Sequence, residues 1–470
     1  MTKENPKQAL KKIGFWIGLI LFTSFFIISP NTESLSQDAW YVLAVMTLMV
    51  VWWLTETISI YVTALLPLIL LPMVTSGNFQ EVALPYANQT IFLFLGGFIL
   101  AIAIEKVGLH QRFAFFILSK NGASLKRILW SFMLIAYLTS MWIINTATAM
   151  MLLPIATYVC KNIKSSDSGF EVVLLLGIAY AATIGGMATI VGTAPNIFFV
   201  GYMLENFNTQ ISFYEWSKVA LPLSMIILVF AYLILSQSIN KSRQDKNTSM
   251  NSLLINKLPI MSLDEKKVLL IFLLTIFAWI FRGQLNNIQL LSELTDAGIA
   301  ISAAFLLFII PSSNKKTELL CWEDMRQIPW GLILLFGGGL ALAKSIMESG
   351  LASWIANNLE FLTDFSNLTM VLILVVCVIF LTEILSNTAL TISFLPIVSI
   401  VAVNLQLPVQ LLGTIMVIAA SCAFMLPIAT PPNAVIFASG KIRVYEMAKK
   451  GIALNLMCIL VLIGCFHILF

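Results

Sequence analysis

The sequence predicts an all-α polytopic membrane protein made of two inverted-topology repeats, with about 11 transmembrane helices plus two re-entrant hairpins. Three observations predict it. First, 59% of the 470 residues are hydrophobic and only 11% are charged, where soluble domains carry roughly 25% charged residues; several apolar runs reach the ~20 residues that cross a bilayer. Second, the chain repeats itself. Asn387, Thr388, Ala389 and Pro396 each stand 242 positions after Asn145, Thr146, Ala147 and Pro154, and the same offset relates Gly338, Gly339, Gly350 and Leu351 to Gly96, Gly97, Gly108 and Leu109. Third, the positive charges take sides, as set out below.

In order, helices are expected at about 13–29, 38–54, 58–74 and 88–118. The N-terminal run, with Lys3, Lys7, Lys11 and Lys12 before it, ends in Ser29-Pro30 with no small-residue cleavage site. It therefore reads as a retained first helix and not a signal peptide. The apolar stretch 128–159 is too long for one span and too short for two, so a re-entrant hairpin with its tip at Asn145 is expected. The segment 170–204 is broken at Gly192–Asn196, and a sixth helix covers 217–236. A polar basic loop, 240–267, separates the halves. The plan then returns: helices at 268–281, 295–311 and 330–347, a second hairpin over 369–403 with its tip at Asn387, a span at 410–440 broken at Ala429–Asn433, and a last helix at 452–470.

With the N-terminus inside, hairpins returning to their own side and broken helices crossing, all but five of the 27 Lys and Arg fall in inside loops. The five are Lys106, Arg112, Lys218, Arg282 and Lys344. This is the positive-inside pattern, and it collapses if either hairpin crosses fully. It places the protein in the cytoplasmic membrane, multi-pass, with a cytoplasmic N-terminus. Five crossings per repeat make the repeats enter the membrane from opposite sides. The expected bodies are 1–127 (scaffold, first half), 128–216 (transport, first hairpin and broken helix), 217–368 (sixth helix, basic loop and scaffold, second half) and 369–470 (transport, second hairpin, broken helix and last helix).

Polar residues at the midplane must be satisfied by protein or by a cavity. One Asn-Thr pair is explained by helix–helix hydrogen bonding. Two in register, each matched by a Pro-Asn break, point to a binding site between discontinuous helices. Amide ends suit a carboxylate and carbonyl ends a small cation. Lys344 is read as an i,i+4 partner of Glu348, with a fixed positive charge near the site as the functional alternative. Glu383 is read as a cap or partner within its own hairpin. The glycine runs are read as close helix packing. The six Cys are scattered without metal spacing and read as apolar packing residues. Two His, His110 and His467, are too few for a metal site.

These motifs resemble the divalent anion/sodium symporter family of dicarboxylate transporters. Ser386-Asn387-Thr388 is similar to that family's paired Ser-Asn-Thr signature, and Gly192-Thr193-Ala194-Pro195-Asn196 and Thr430-Pro431-Pro432-Asn433-Ala434 to its broken-helix motifs. The resemblance implies an 11-helix, two-hairpin homodimer whose transport bodies move as an elevator, and C4–C6 carboxylates such as succinate, malate, 2-oxoglutarate or citrate as substrates. It implies that Asn145, Thr146, Thr193, Ser386, Asn387, Thr388 and Pro431 hold substrate. It also implies one sodium site at Ser140, Ile144, Asn145 and Gly192, and a second at Thr382, Ser386, Asn387 and Ala429. The first signature departs from the pattern, because Ile144 stands where the family has Ser. That loss of a hydroxyl favours carboxylate exchange, with sodium-coupled symport as the alternative. A channel is disfavoured by two occluded tips. No His-Glu-x-x-His, nucleophile elbow or paired catalytic carboxylates occur, so no enzyme is expected, and no cofactor beyond sodium as coupling ion. The expected partners are dicarboxylate anions, the lipid bilayer and a second copy of the chain, with no nucleic acid.

Overall fold

The computed structural model describes residues 6–28, 35–120, 124–162, 168–239, 260–313, 317–359 and 365–469. Residues 240–259 of the expected basic loop lie outside them. Apart from an isolated bridge between Pro311 and Glu318, the regular structure of the described residues is helical, and seven of its helices are long and apolar enough to cross a membrane.

The first half contains α1 (Pro6–Ile27), α2 (Gln37–Thr55), α3 (Leu66–Val74), α4 (Gln89–Lys106), α5 (Leu109–Lys120), α6 (Leu125–Ser140), α7 (Asn145–Asn162), α8 (Ser168–Met187), α9 (Ala194–Phe207) and α10 (Phe213–Ser236). The second contains α11 (Leu263–Ile280), α12 (Asp296–Ile309), α13 (Trp330–Glu348), α14 (Leu351–Asn358), α15 (Asn367–Leu381), α16 (Asn387–Asn404), α17 (Val409–Ser421), α18 (Pro431–Ala438) and α19 (Val444–Leu469). Helices α10 and α11 start on full capping boxes, Ser212 with Glu215 and Ser262 with Glu265.

Two expected helices are interrupted. The helix expected over 88–118 divides at Gly108, whose φ of 75° is left-handed, and α13 ends the same way at Gly350, φ 82°. Glycine takes this conformation without a Cβ clash, so a short second helix leaves at an angle in each half. The helix expected over 58–74 is split into Ile60–Thr63 and α3. There the Ala64 carbonyl accepts the Tyr86 hydroxyl at 2.5 Å. The two breaks also begin earlier than expected. Pro195 and Asn196 already belong to α9, so the first break is 188–193; the second is 422–430.

Both Asn-Thr stretches are helix starts at the turn of a hairpin. A Cβ on Gly177 would touch Leu129 and Met133, and one on Gly185 would touch Tyr137, so α6 and α8 run parallel. Asn145 lies against Gly186 at the far end of α8, whereas α7 ends at Asn162, six residues before α8 begins. Since six residues span at most about 21 Å and α8 is about 30 Å long, α7 returns along α8. The second hairpin repeats this. Thr382 reaches the Ala420 carbonyl at the end of α17, and α16 ends five residues before α17 starts.

The broken helices join the hairpins. Helix α8 runs beside the first hairpin, and α9 continues to the second, where the Tyr202 and Ser399 hydroxyls meet at 2.5 Å. Helix α17 runs beside the second, and α18 leads back to the base of the first, where Lys441 pairs with Glu171 at 2.5 Å. Helix α10 packs on α6, α8 and α19, and its Ser224 meets Tyr137 at 2.9 Å. The sixth helix thus packs on the first arm of the first hairpin as well as on α8 and α19.

The glycine pairs pack as expected, and they do so reciprocally. Gly96 of the first half closes on the backbone of Ala300, and Gly338 of the second half closes on the backbone of Ala64.

Candidate functional site

Four helices begin at one cavity of about 990 Å³: its lining includes Asn145, Ala194, Asn387 and Pro431, the first residues of α7, α9, α16 and α18. Helix N-termini carry partial positive charge and unpaired amides. Their convergence gives an uncharged wall that suits an anion. Thr146, Thr193, Ser386 and Thr388 supply hydroxyls to the same cavity, and Ile144, Gly192 and Ala429 also line it. All the expected substrate residues, from both halves, are therefore brought together.

Ser140 and Thr382 stand one layer back, fully buried. The Ser140 hydroxyl donates to Asn145 Oδ1 at 2.6 Å. The Thr382 oxygen lies 2.7 Å from Asn387 Oδ1 and 2.6 Å from the Ala420 carbonyl. One proton is shared among those three oxygens, so the cluster is electron-rich and fits a small hard cation. In the first half Gly186 brings its backbone against the Asn145 side chain, and Gly192 in turn closes on the Gly186 carbonyl. A side chain at either glycine would fill this cradle. Ile144 is 40% exposed and adds no oxygen there.

Each tip is tied to its break. Thr189 donates to the Met141 carbonyl at 2.6 Å. In the second half the buried Glu383 carboxylate accepts the N–H groups of Phe424, Met425 and Leu426 at 2.7–3.0 Å and the Asn455 amide at 2.7 Å. Glu383 therefore caps the unwound segment of another element, not its own hairpin. Lys344 does pair with Glu348 at i,i+4 (4.0 Å), and it also reaches Glu205 at 3.5 Å; it lines a separate cavity of about 200 Å³ with Asp38 and Glu81.

Several lining residues were not singled out from the sequence, among them Glu56, Tyr61, Phe94, Thr183 and Ser421. Glu56 carried one signal, an acidic residue between two apolar runs. Its φ of 46° puts it in a left-handed helix cap. Trp142, at the first tip, stacks with Phe213 and Trp279 and meets Phe272 edge-to-face. Its counterpart by register, Ile384, is 64% exposed.

The same chain, compared with known proteins, matches the sodium:sulfate symporter transmembrane region over residues 11–469. The chain belongs to the sodium:sulfate symporter family. Among curated members, a sodium-dependent dicarboxylate transporter SdcS of Staphylococcus saprophyticus is 41% identical, covering 98% of this chain and 92% of the relative. One from Staphylococcus aureus RF122 is 38% identical, covering 98% and 91%. A crystal structure of the Alcanivorax borkumensis YdaH transporter superposes with a TM-score of 0.61 at 13% identity, covering 98% of each chain; at that identity the likeness is one of fold. Membership of the symporter family makes the chain a membrane transporter and not an enzyme.

Proposed function

We propose that this symporter-family member carries dicarboxylates of the succinate, malate and 2-oxoglutarate class, and citrate, across the cytoplasmic membrane, coupled to sodium. The observation that carries the anion reading is the meeting of four helix N-termini in one cavity with no lysine or arginine among its described lining residues. A dianion there is held by amide dipoles and by the side chains of Asn145, Thr146, Thr193, Ser386, Asn387 and Thr388, with Pro431 shaping the wall. The oxygen cluster at Thr382, Asn387 and Ala420 supports sodium, as do relatives described as sodium-dependent dicarboxylate transporters. On this reading sodium sits behind both tips, at Ser140, Asn145 and Gly192 and at Thr382, Ser386, Asn387 and Ala429. There it offsets the charge of the substrate.

The two halves are read as an inverted repeat with a cytoplasmic N-terminus. The moving body is read as 128–239 with 369–469, sliding as an elevator against the rest within a homodimer. What supports this body is its internal web of polar ties: Tyr202 to Ser399, Lys441 to Glu171, and Tyr180 to the Met447 carbonyl.

Exchange of one carboxylate for another is the second reading, favoured by Ile144. Proteoliposomes separate the two. Under the first, an inward sodium gradient drives accumulation of labelled succinate into empty vesicles. Under the second, preloaded succinate accelerates uptake and the gradient has no effect. Uptake under neither condition sinks both.

A further inference from the structure

We infer that Asn196 and Asn433 are matched positioning residues that brace the two cation-binding turns, one for each half. This rests on the sodium reading above. The Asn196 amide donates to three carbonyls where α8 ends and the first break begins: Gly186 at 3.1 Å and Met187 at 3.4 Å in the last turn of α8, and Thr189 at 2.8 Å in the break. The Asn433 amide donates to Ala423 at 3.3 Å and Leu426 at 3.1 Å. Asn433, Ala423 and Leu426 each stand 237 positions after Asn196, Gly186 and Thr189, as Ala429 does after Gly192. The same side chain thus makes the same ties in both halves, across the turn that carries the expected cation carbonyl.

Both asparagines are fully buried, and the side-chain oxygen of each has no hydrogen-bond partner among the described residues. The carbonyls on the nitrogen side fix the amide orientation, since a flipped amide would set oxygen against oxygen. A buried acceptor without a donor is unfavourable. Its presence at both matched positions shows that the donor face is what each position uses. The tie also reaches the tip. Gly186, held by Asn196, is the residue packed between the Asn145 side chain and Gly192. Bracing the break therefore places Asn145 as well as the carbonyls. Neither asparagine lines the cavity, so the brace acts on the cation through the turn and not on the dicarboxylate.

The test uses the purified full-length protein and follows its thermal midpoint against sodium at constant ionic strength, with potassium replacing sodium. The wild type should rise with sodium alone, with a Hill slope above one. Asn196→Ala and Asn433→Ala should each raise the half-saturating sodium by about tenfold, as loss of a second-shell ligand partner does, and bring the slope toward one. Half-saturating succinate at saturating sodium should stay at the wild-type value, since neither asparagine lines the cavity. A purely structural role would lower the sodium-free midpoint and leave half-saturation where it was. Wild-type sodium curves in both variants overturn the inference alone. A wild type indifferent to sodium overturns the sodium reading and the inference with it. Should the alanine variants fail to fold, Asn196→Leu and Asn433→Leu, which keep the volume and remove the donor, must show the same sodium shift, and unshifted curves from them overturn the inference.

Discussion

Glu383 accepts the Phe424 backbone N–H at 2.7 Å from the next element but one. With Met425, Leu426 and Asn455 also donating, this buried carboxylate is held by amides and not by a cation. It performs on the second break the service that Thr189 performs on the first through a single hydroxyl. Glu383→Gln replaces one acceptor oxygen by a donor facing N–H groups. It should cost about 1.5–3 kcal/mol, the range for a hydrogen bond to a charged group, read as a lower thermal midpoint. An unchanged midpoint would mean the unwound segment holds its shape without the carboxylate.

Removing either tip amide should stop transport. Asn145→Ala and Asn387→Ala each delete a side chain at the start of a helix that faces the cavity, and a site built of polar groups rejects such a loss by about 100-fold or more. Uptake into proteoliposomes should fall by that factor with the midpoint of unfolding kept. Near-normal uptake in both would reduce the tips to packing elements.

Restoring the missing hydroxyl tests the departure at Ile144. Ile144→Ser adds an oxygen beside Ser140 and Asn145, so half-saturating sodium for uptake should drop by roughly tenfold, the size of about 1.4 kcal/mol of added ligation. No change would show that the first cation site never relied on that position.

Gly185→Ala places a Cβ 2.2 Å from the Tyr137 carbonyl oxygen. Backbone cannot retreat as a side chain can, so the variant should lose about 3 kcal/mol or more and express poorly. Wild-type stability would contradict the close parallel packing of α6 on α8.

Much of this arrangement was legible because it is written twice. The 242-residue register located both tips, Asn145 and Asn387, at helix starts, and it also contained Gly108 and Gly350. Those two were noted only as members of the register, although a glycine at the end of an apolar helix is also a left-handed stop signal, and that is what they are. The breaks were placed too late for a related reason. Pro195 and Asn196 look like an interruption, yet proline in the first turn loses no hydrogen bond and marks a beginning. What one line of residues could not show is pairing across distance. Nothing near Glu383 in the chain announces Phe424, and the place of α10 beside the hairpins depends on contacts such as Tyr137 with Ser224.

The crossed glycine contacts, Gly96 on Ala300 and Gly338 on Ala64, carry a consequence for assembly. Each half lends a smooth helix surface to a backbone supplied by the other, so neither half is complete by itself. A gene severed between codons 239 and 260 should yield two inert polypeptides when expressed apart, and a working carrier when both are made in the same cell.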